Sequence, residues 1–299
     1  MKTMQLTPDD LDYLSDKAIA AAKEAGAIIA SFADKAVSVQ HKESGDTLAS
    51  QVVTEVDLRS EKAIVEMLQP TCEQYDLALL TEETEDDKAR LEKEYFWCAD
   101  PLDGTLSFIE SIPGYSVSIA LVSRSGAPLI GVVYDPVTRT LYSAVQGQGV
   151  FRNGEPFATP EPQSLTAKPL ALVCNRGFVK RPDYPRIYEA LVSVANRYGC
   201  AGIRVMEEHG AVLNACRVLE NPPAVYFMFP KPGVEAGGSL WDFAAVAALF
   251  SEAGHVASDF FGQPLALNRA DSTFLSHRGV LFATDVSLAA EVGELYTQS

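Results

Sequence analysis

Residues 97–108, Trp-Cys-Ala-Asp-Pro-Leu-Asp-Gly-Thr-Leu-Ser-Phe, constrain this chain more than any other stretch. Apolar residues run into a carboxylate, a proline, a second carboxylate and then Gly-Thr. A strand can carry Asp100 to its end, where Pro101, lacking an N–H, stops the pairing. Two carboxylates three positions apart on the turn that follows can converge on one hard cation. Gly104 lets the backbone approach a ligand closely. A helix starting near Thr105 would offer its free N–H groups to an anion. The stretch therefore fits Mg²⁺-assisted hydrolysis of a phosphate ester. A surface Asp-Pro turn is the plainer reading, since Asp, Pro and Gly are common turn residues.

Charge narrows the set of partners. The formal net charge is −16, from 40 acidic and 24 basic residues. Such a chain repels nucleic acid polymers and anionic membranes, so neither is an expected partner. It would also repel a phosphate substrate unless bound divalent cations inverted the local sign. Five cysteines, Cys72, Cys98, Cys174, Cys200 and Cys216, form no C-x-x-C pair. Zinc and redox motifs are thus unsupported, and a reducing cytoplasm suits the free thiols. The first residues hold no apolar leader segment, and no run is apolar enough to cross a membrane. A cytoplasmic location is expected.

Patterning predicts elements along the whole chain. Thr7-Pro8-Asp9-Asp10 opens a helix with Thr7 as N-cap, continuing to about Phe32. A strand is expected at 37–40, a loop at 41–46, and a second helix that stops at Pro70. Residues 77–80 read as a buried strand delivering Glu82, and the charged stretch 82–94 as an exposed loop or helix. Strands at 115–122, 129–134 and 140–145, with a hairpin turn at Arg152-Asn153-Gly154, form an antiparallel meander. The proline-rich residues 155–169 mark a boundary between an N-terminal α+β unit, 1–155, and a C-terminal α/β unit, 156–299. Beyond it strands at 170–174, 203–205, 224–229 and 280–283 alternate with helices at 184–198, 210–219, 242–253 and 287–296.

Carboxylates stand where apolar elements end: Asp57, Glu82, Asp100, Asp103 and Asp242. Each alone has a structural reading, Asp242 as an N-cap and Asp57 as a cap of its own helix. Together they fit an oxygen-ligand Mg²⁺ cluster. Thr54-x-x-Asp57, Thr81-Glu82-Glu83, Asp100-Pro101-Leu102-Asp103-Gly104-Thr105, and Trp241-Asp242 with Glu252-Ala253-Gly254 resemble, in order and spacing, the motif set of the inositol monophosphatase superfamily. The resemblance spans about residue 10 to residue 285. It implies a layered α-β-α-β-α sandwich, with an N-terminal antiparallel sheet and a C-terminal mixed α/β sheet, and often a homodimer.

It also implies roles. Glu82, Asp100 and the Leu102 carbonyl would hold a first Mg²⁺, and Asp100, Asp103 and Asp242 a second, with Glu82 touching a loosely held third. Mn²⁺ is a substitute, and Li⁺ and Ca²⁺ are inhibitors. Asp57 and Thr105 would position and deprotonate the attacking water. Gly104 and Thr105 N–H groups would bind phosphate oxygens, with Asp103 and Asp242 beside the substrate. In inositol monophosphatases a glutamate seven residues before the Trp-Asp aspartate contacts sugar-like hydroxyls, and here that position is Glu235.

The implied substrate is inositol monophosphate or a similar small polyol or sugar phosphate. The tail from Gly262 to Leu275 and the wording around Leu79–Glu83 are instead similar to the 3'(2'),5'-bisphosphate nucleotidase branch, which acts on 3'-phosphoadenosine 5'-phosphate. That branch carries a lysine after Asp-Gly-Thr, absent here. Lys42, Arg204 and Lys231 are the candidates for holding a second phosphate. A non-catalytic metal-binding homologue is the third reading, disfavoured by the intact Asp57, Glu82, Asp100, Asp103, Thr105 and Asp242. His209 reads as a structural histidine at a helix start, and Trp97 and Trp241 as core anchors.

Overall fold

The structure, a computed structural model, describes residues 5–33, 35, 39–41, 52–158, 167–207, 210–235 and 237–297. Helix α1 (Pro8–Phe32) begins as its sequence dictates: Thr7 caps it, and Asp10 returns a bond to the Thr7 N–H at 2.9 Å. A short antiparallel pair, β1 (Val39–His41) and β2 (Val52–Thr54), leads into α2 (Glu55–Tyr75). Pro70 does not stop α2, contrary to the sequence expectation. The helix continues one more turn and buries Thr71, Cys72 and Tyr75. Trp97 Nε1 donates to Thr71 Oγ1 at 2.8 Å from the adjoining sheet. That burial offsets the one helical bond a proline removes. The helix ends at Asp76, whose φ of 52° is left-handed.

Seven strands then form one sheet in chain order. They are β3 (Ala78–Thr81), β4 (Tyr95–Asp103), β5 (Ser116–Ser123), β6 (Pro128–Asp135), β7 (Thr140–Val145), β8 (Gly149–Arg152) and β9 (Glu155–Pro156). β3 runs parallel to β4 and the remaining pairs are antiparallel. The charged stretch after β3 is less exposed than its composition suggests. Arg90 is buried there, donating to Asp86, to Asn268 Oδ1 and to the Arg269 carbonyl, so it ties this stretch to the distant tail.

The second sheet has the order β11-β10-β12-β14-β13. Its strands are β10 (Leu170–Val173), β11 (Ile203–Met206), β12 (Ala224–Met228), β13 (Val256–Ser258) and β14 (Val280–Ala283). β10 is parallel to both neighbours, whereas β12, β14 and β13 pair antiparallel, so the sheet is mixed. The edge strand β13, three residues long, was not expected from the sequence. Four helices accompany this sheet: α4 (Tyr184–Arg197), α5 (Ala211–Glu220), α6 (Leu240–Glu252) and α7 (Val286–Thr297).

The layers follow from which faces are apolar. α1 and α2 cover one face of the first sheet, α5 and α6 lie between the sheets, and α4 and α7 cover the outer face of the second. This is the expected α-β-α-β-α sandwich. α6 is apolar on nearly every side and is buried on nearly every side. Gly131 lets it press on β6, since a Cβ there would stand 2.2 Å from the Ala245 carbonyl oxygen. Phe96 and Ala120 of the first sheet share one core with Phe243, Phe250, Tyr226 and Phe282. Among the described residues no helix is long and apolar enough to cross a membrane.

Candidate active site

The acids of the site sit where strands end and helices begin. Pairing of β4 with β5 is regular as far as Asp100 opposite Ser118, then skips to Asp103 opposite Ser116. Pro101 causes the skip, having no N–H to give. The Leu102 N–H instead donates to Asp100 Oδ1 at 2.8 Å. Gly104 follows with φ of +85°, and a Cβ there would lie 2.7 Å from the Gly114 carbonyl oxygen. Only glycine fits that turn. Helix α3 (Thr105–Ile109) then starts at Thr105. Asp103 takes N–H groups from the start of α5, Ala211 and Val212, each at 3.1 Å. Asp242 lies in the first turn of α6, where its Oδ2 accepts the Ser239 N–H at 2.6 Å. Carboxylate oxygens of Asp100, Asp103 and Asp242 all lie within 4.8 Å of one another.

Beside this trio stands a second pair. Thr105 Oγ1 lies 2.9 Å from Asp57 Oδ1 and 3.0 Å from the Leu102 carbonyl oxygen. The other Asp57 oxygen is held by Thr54, through its N–H at 2.8 Å and its hydroxyl at 2.5 Å. Asp57 is therefore fixed at one oxygen and aimed at Thr105 with the other. Taken alone, Asp57 and Asp242 each had a structural reading as a helix cap. They occupy instead the third helical position of capping boxes whose N-caps are Thr54 and Ser239. Each returns a bond to its N-cap N–H, which is the reciprocal half of such a box.

Electrostatics sets the character of the cluster. Burial is the largest influence on Asp100 and pushes its carboxyl well above the ordinary 3.8, and the charges of Glu82, Asp242 and Asp103 push it further. Burial and Asp242 do the same to Asp103, against the two α5 N–H groups. Asp57 is raised by burial, with the Thr54 and Thr105 bonds opposing and Glu82 adding. The positive N-terminal ends of α2, α5 and α6 each meet one of these acids, which offsets part of the repulsion.

The donor set fits a divalent cation. It is all hard oxygen, with Asp100 and Asp103 buried and Asp242 half-buried, and built from acids that repel one another. Buried like charges are costly unless paired or bound to a metal. Mg²⁺ favours carboxylate and carbonyl oxygens of this kind.

Not every residue singled out in the sequence joins the cluster. Glu82 stands near it without being one of the trio: its N–H bonds the Ala99 carbonyl at 3.2 Å, and its charge acts on Asp57, Asp100 and Asp103. The Leu102 carbonyl faces Thr105. Glu235 is exposed on the loop before α6 and accepts the Ser272 hydroxyl at 2.9 Å. Arg204 is exposed and bonds Asn221 at 2.6 Å. Trp97 is fully buried and Trp241 packs against the core, both as anchors. His209 and Lys42 lie outside the described residues.

Several supporting residues escaped the sequence reading. The pattern Ser/Thr-x-x-Asp was present at Thr54 and Ser239 and marks a capping box. Glu61, one helical turn beyond Asp57, is buried and accepts the Thr81 and Thr84 hydroxyls on either side of Glu82–Glu83. The α5 N–H groups that hold Asp103 had no residue-type signal.

Comparison with known proteins agrees with this architecture. The profile of the inositol monophosphatase family matches residues 10–295. A protein named Nus factor SuhB from Pasteurella multocida is 32% identical over 249 residues, spanning 82% of this chain and 84% of its own. The IMPase of Thermotoga maritima superposes with a TM-score of 0.70 at 22% identity, over 97% of this chain and 99% of its own. SaIMPase-II of Staphylococcus aureus has been solved with inositol monophosphate and with 2'AMP bound. Both of those structures superpose with a TM-score of 0.66, at 22% and 23% identity. They span 95% and 93% of this chain, and 94% and 92% of their own. A profile match from residue 10 to residue 295, on a fold shared by solved relatives, places this chain in the inositol monophosphatase family.

Proposed function

We propose that this chain is a Mg²⁺-dependent phosphomonoesterase that hydrolyses a small phosphorylated substrate. One observation carries the reading: three carboxylates, the buried Asp100 and Asp103 and the half-buried Asp242, have oxygens within 4.8 Å of one another. Glu82, Asp100 and the Leu102 carbonyl would hold one ion, and Asp100, Asp103 and Asp242 a second. A third ion would be loosely held at Glu82. Bound there, the ions supply positive charge to the phosphoryl oxygens and acidify water. Mn²⁺ would substitute, and Li⁺ and Ca²⁺ would inhibit.

The chain's own residues handle the proton. The Thr105 hydroxyl has one proton and two acceptors, Asp57 Oδ1 and the Leu102 oxygen. With the Leu102 oxygen engaged as a ligand, Asp57 is the acceptor that remains. The Thr105 lone pairs then face the attacking water. The water gives its proton to Thr105 Oγ1 as Thr105 gives its own to Asp57. Burial, which raises the Asp57 carboxyl, makes it a better proton acceptor. N–H groups of Gly104 and Thr105 orient the phosphoryl oxygens, and Asp103 and Asp242 border the departing alcohol. No covalent enzyme intermediate is required.

Two substrate classes follow from family membership: inositol monophosphate or a similar polyol ester, and 3'-phosphoadenosine 5'-phosphate. Inositol monophosphate and 2'AMP on SaIMPase-II make both reasonable first substrates. The chain's net charge of −16 supports a small substrate rather than a nucleic acid polymer or membrane. The free thiols support a reducing cytoplasm, and gel filtration tests the homodimer common in this family. Phosphate release with Mg²⁺ and with EDTA tests the central reading. Asp242→Asn keeps an oxygen for the Ser239 N–H, so the variant should fold. Its turnover should fall roughly a hundredfold or more. Near-normal turnover would refute the metal assignment, and no release by the native protein would favour the non-catalytic homologue.

A further inference from the structure

Helix α2 presents two buried carboxylates one turn apart on the same face, Asp57 and Glu61. Asp57 faces Thr105. Glu61 faces the end of β3, where its Oε1 accepts the Thr81 hydroxyl and, at 3.0 Å, the Thr84 hydroxyl. One oxygen thus bridges the two threonines that flank Glu82 and Glu83. β4 guides this stretch only as far as the Glu82 N–H, which bonds the Ala99 carbonyl at 3.2 Å. There the chain leaves the sheet and bends. Glu61 holds both ends of that bend.

Stability alone does not account for an acid at this position. The described residues give Glu61 two hydroxyls and no cation. Burying a carboxylate without a cation is unfavourable, and two neutral donors offset only part of the penalty. An apolar side chain would fill this place on α2 more favourably. What the acid supplies is a fixed path for Thr81–Thr84. A bend tied at its first and fourth residues leaves the backbone of Glu82 little freedom. Glu82 in turn is felt as a charge at Asp57, Asp100 and Asp103, so the bend delivers it beside the cluster.

We propose that Glu61 is a positioning residue for the metal centre: it touches no ion, and it tightens ion binding by fixing the bend that aims Glu82 at the cluster. Glu82 is the only route by which Glu61 acts. The inference rests on the metal reading of the acid cluster and deepens it.

Isothermal titration of Mg²⁺ tests this. Glu61→Ala is expected to weaken Mg²⁺ binding about tenfold relative to the native chain, the scale for a residue that holds a ligand in place. Glu61→Gln keeps an oxygen able to accept both hydroxyls and should restore near-native affinity. Thr84→Val removes one donor, keeps the shape of the side chain and should move the affinity the same way by less. In a Glu82→Gln background, Glu61→Ala should cause no further loss, because its effect runs through Glu82. Additive losses in that double variant, or a loss in Glu61→Gln equal to that in Glu61→Ala, would overturn the inference and leave the metal assignment standing. So would native affinity in Thr84→Val, which decides the matter if Glu61→Ala does not fold. A native chain that binds no Mg²⁺ would overturn the metal assignment and this inference together.

Discussion

Thr105 offers one hydroxyl proton to two acceptors, and which of them takes it decides whether the residue can relay a proton. Thr105→Ala removes the relay and leaves the acid trio in place. It should lower kcat by about a hundredfold and raise KM far less. The reverse pattern in steady-state kinetics would make Thr105 a substrate-binding residue instead. The acids at this scale were legible in the sequence because each follows an apolar run, and burial at an element's end is what brings them together. Glu235 was reached by counting seven residues back from Asp242, and its carboxylate accepts the Ser272 hydroxyl. The N–H groups of Ala211 and Val212 that hold Asp103 were illegible, since every residue type carries a backbone donor and these lie 108 and 109 positions away.

Helix starts do the positioning at the next scale. α2, α5 and α6 each present their first turn to one carboxylate of the site. The start of α5 makes the dependence testable. A Cβ on Gly210 would lie 2.4 Å from Asp103 Oδ2. The φ of Gly210, −64°, is one that alanine adopts readily, so the strain falls on the carboxylate and not on the backbone. Gly210→Ala should therefore weaken Mg²⁺ binding by about 10- to 100-fold, read by isothermal titration, with little change in helix content. Unaltered Mg²⁺ affinity would mean that Asp103 is not a ligand. The capping boxes were legible in hindsight as Ser/Thr-x-x-Asp, and reading Asp57 and Asp242 as caps placed them three residues too early in the helix. The passage of α2 through Pro70 was not legible, because the burial that sustains it comes from Trp97 and the sheet.

Over the whole molecule the two halves share a core around α5 and α6, and the acid trio draws Asp100 and Asp103 from one half and Asp242 from the other. We propose that 1–155 and 156–299 fold as one cooperative unit, and calorimetry should show a single transition. Two separated transitions would divide them. The meander and the later α/β alternation were legible from periodicity, and the layer order came from the family resemblance; the sharing of one core between the sheets was not legible, since apolar residues do not name their partners. The acid cluster also sets the pH dependence. Asp57, Asp100 and Asp103 have folded pKa values raised above the ordinary 3.8. Without metal, the folded state then binds more protons than the unfolded state between those values, so stability falls as pH rises through that window. Mg²⁺ replaces those protons. Its stabilisation should grow from pH 5 to pH 8 and reach about 5 °C in Tm at a hundredfold excess over the dissociation constant. A pH-independent gain in thermal scans would count against a cluster of this kind. The carboxylates of Asp57, Asp100, Asp103 and Asp242 take bonds from the backbone amides of Thr54, Leu102, Ala211, Val212 and Ser239. Ion occupancy is thereby written into the main chain at remote points of the sequence. In a nitrogen-labelled sample those five resonances should shift as a group when the ion arrives, so the spectrum alone would report filling of the centre, with no substrate in the tube.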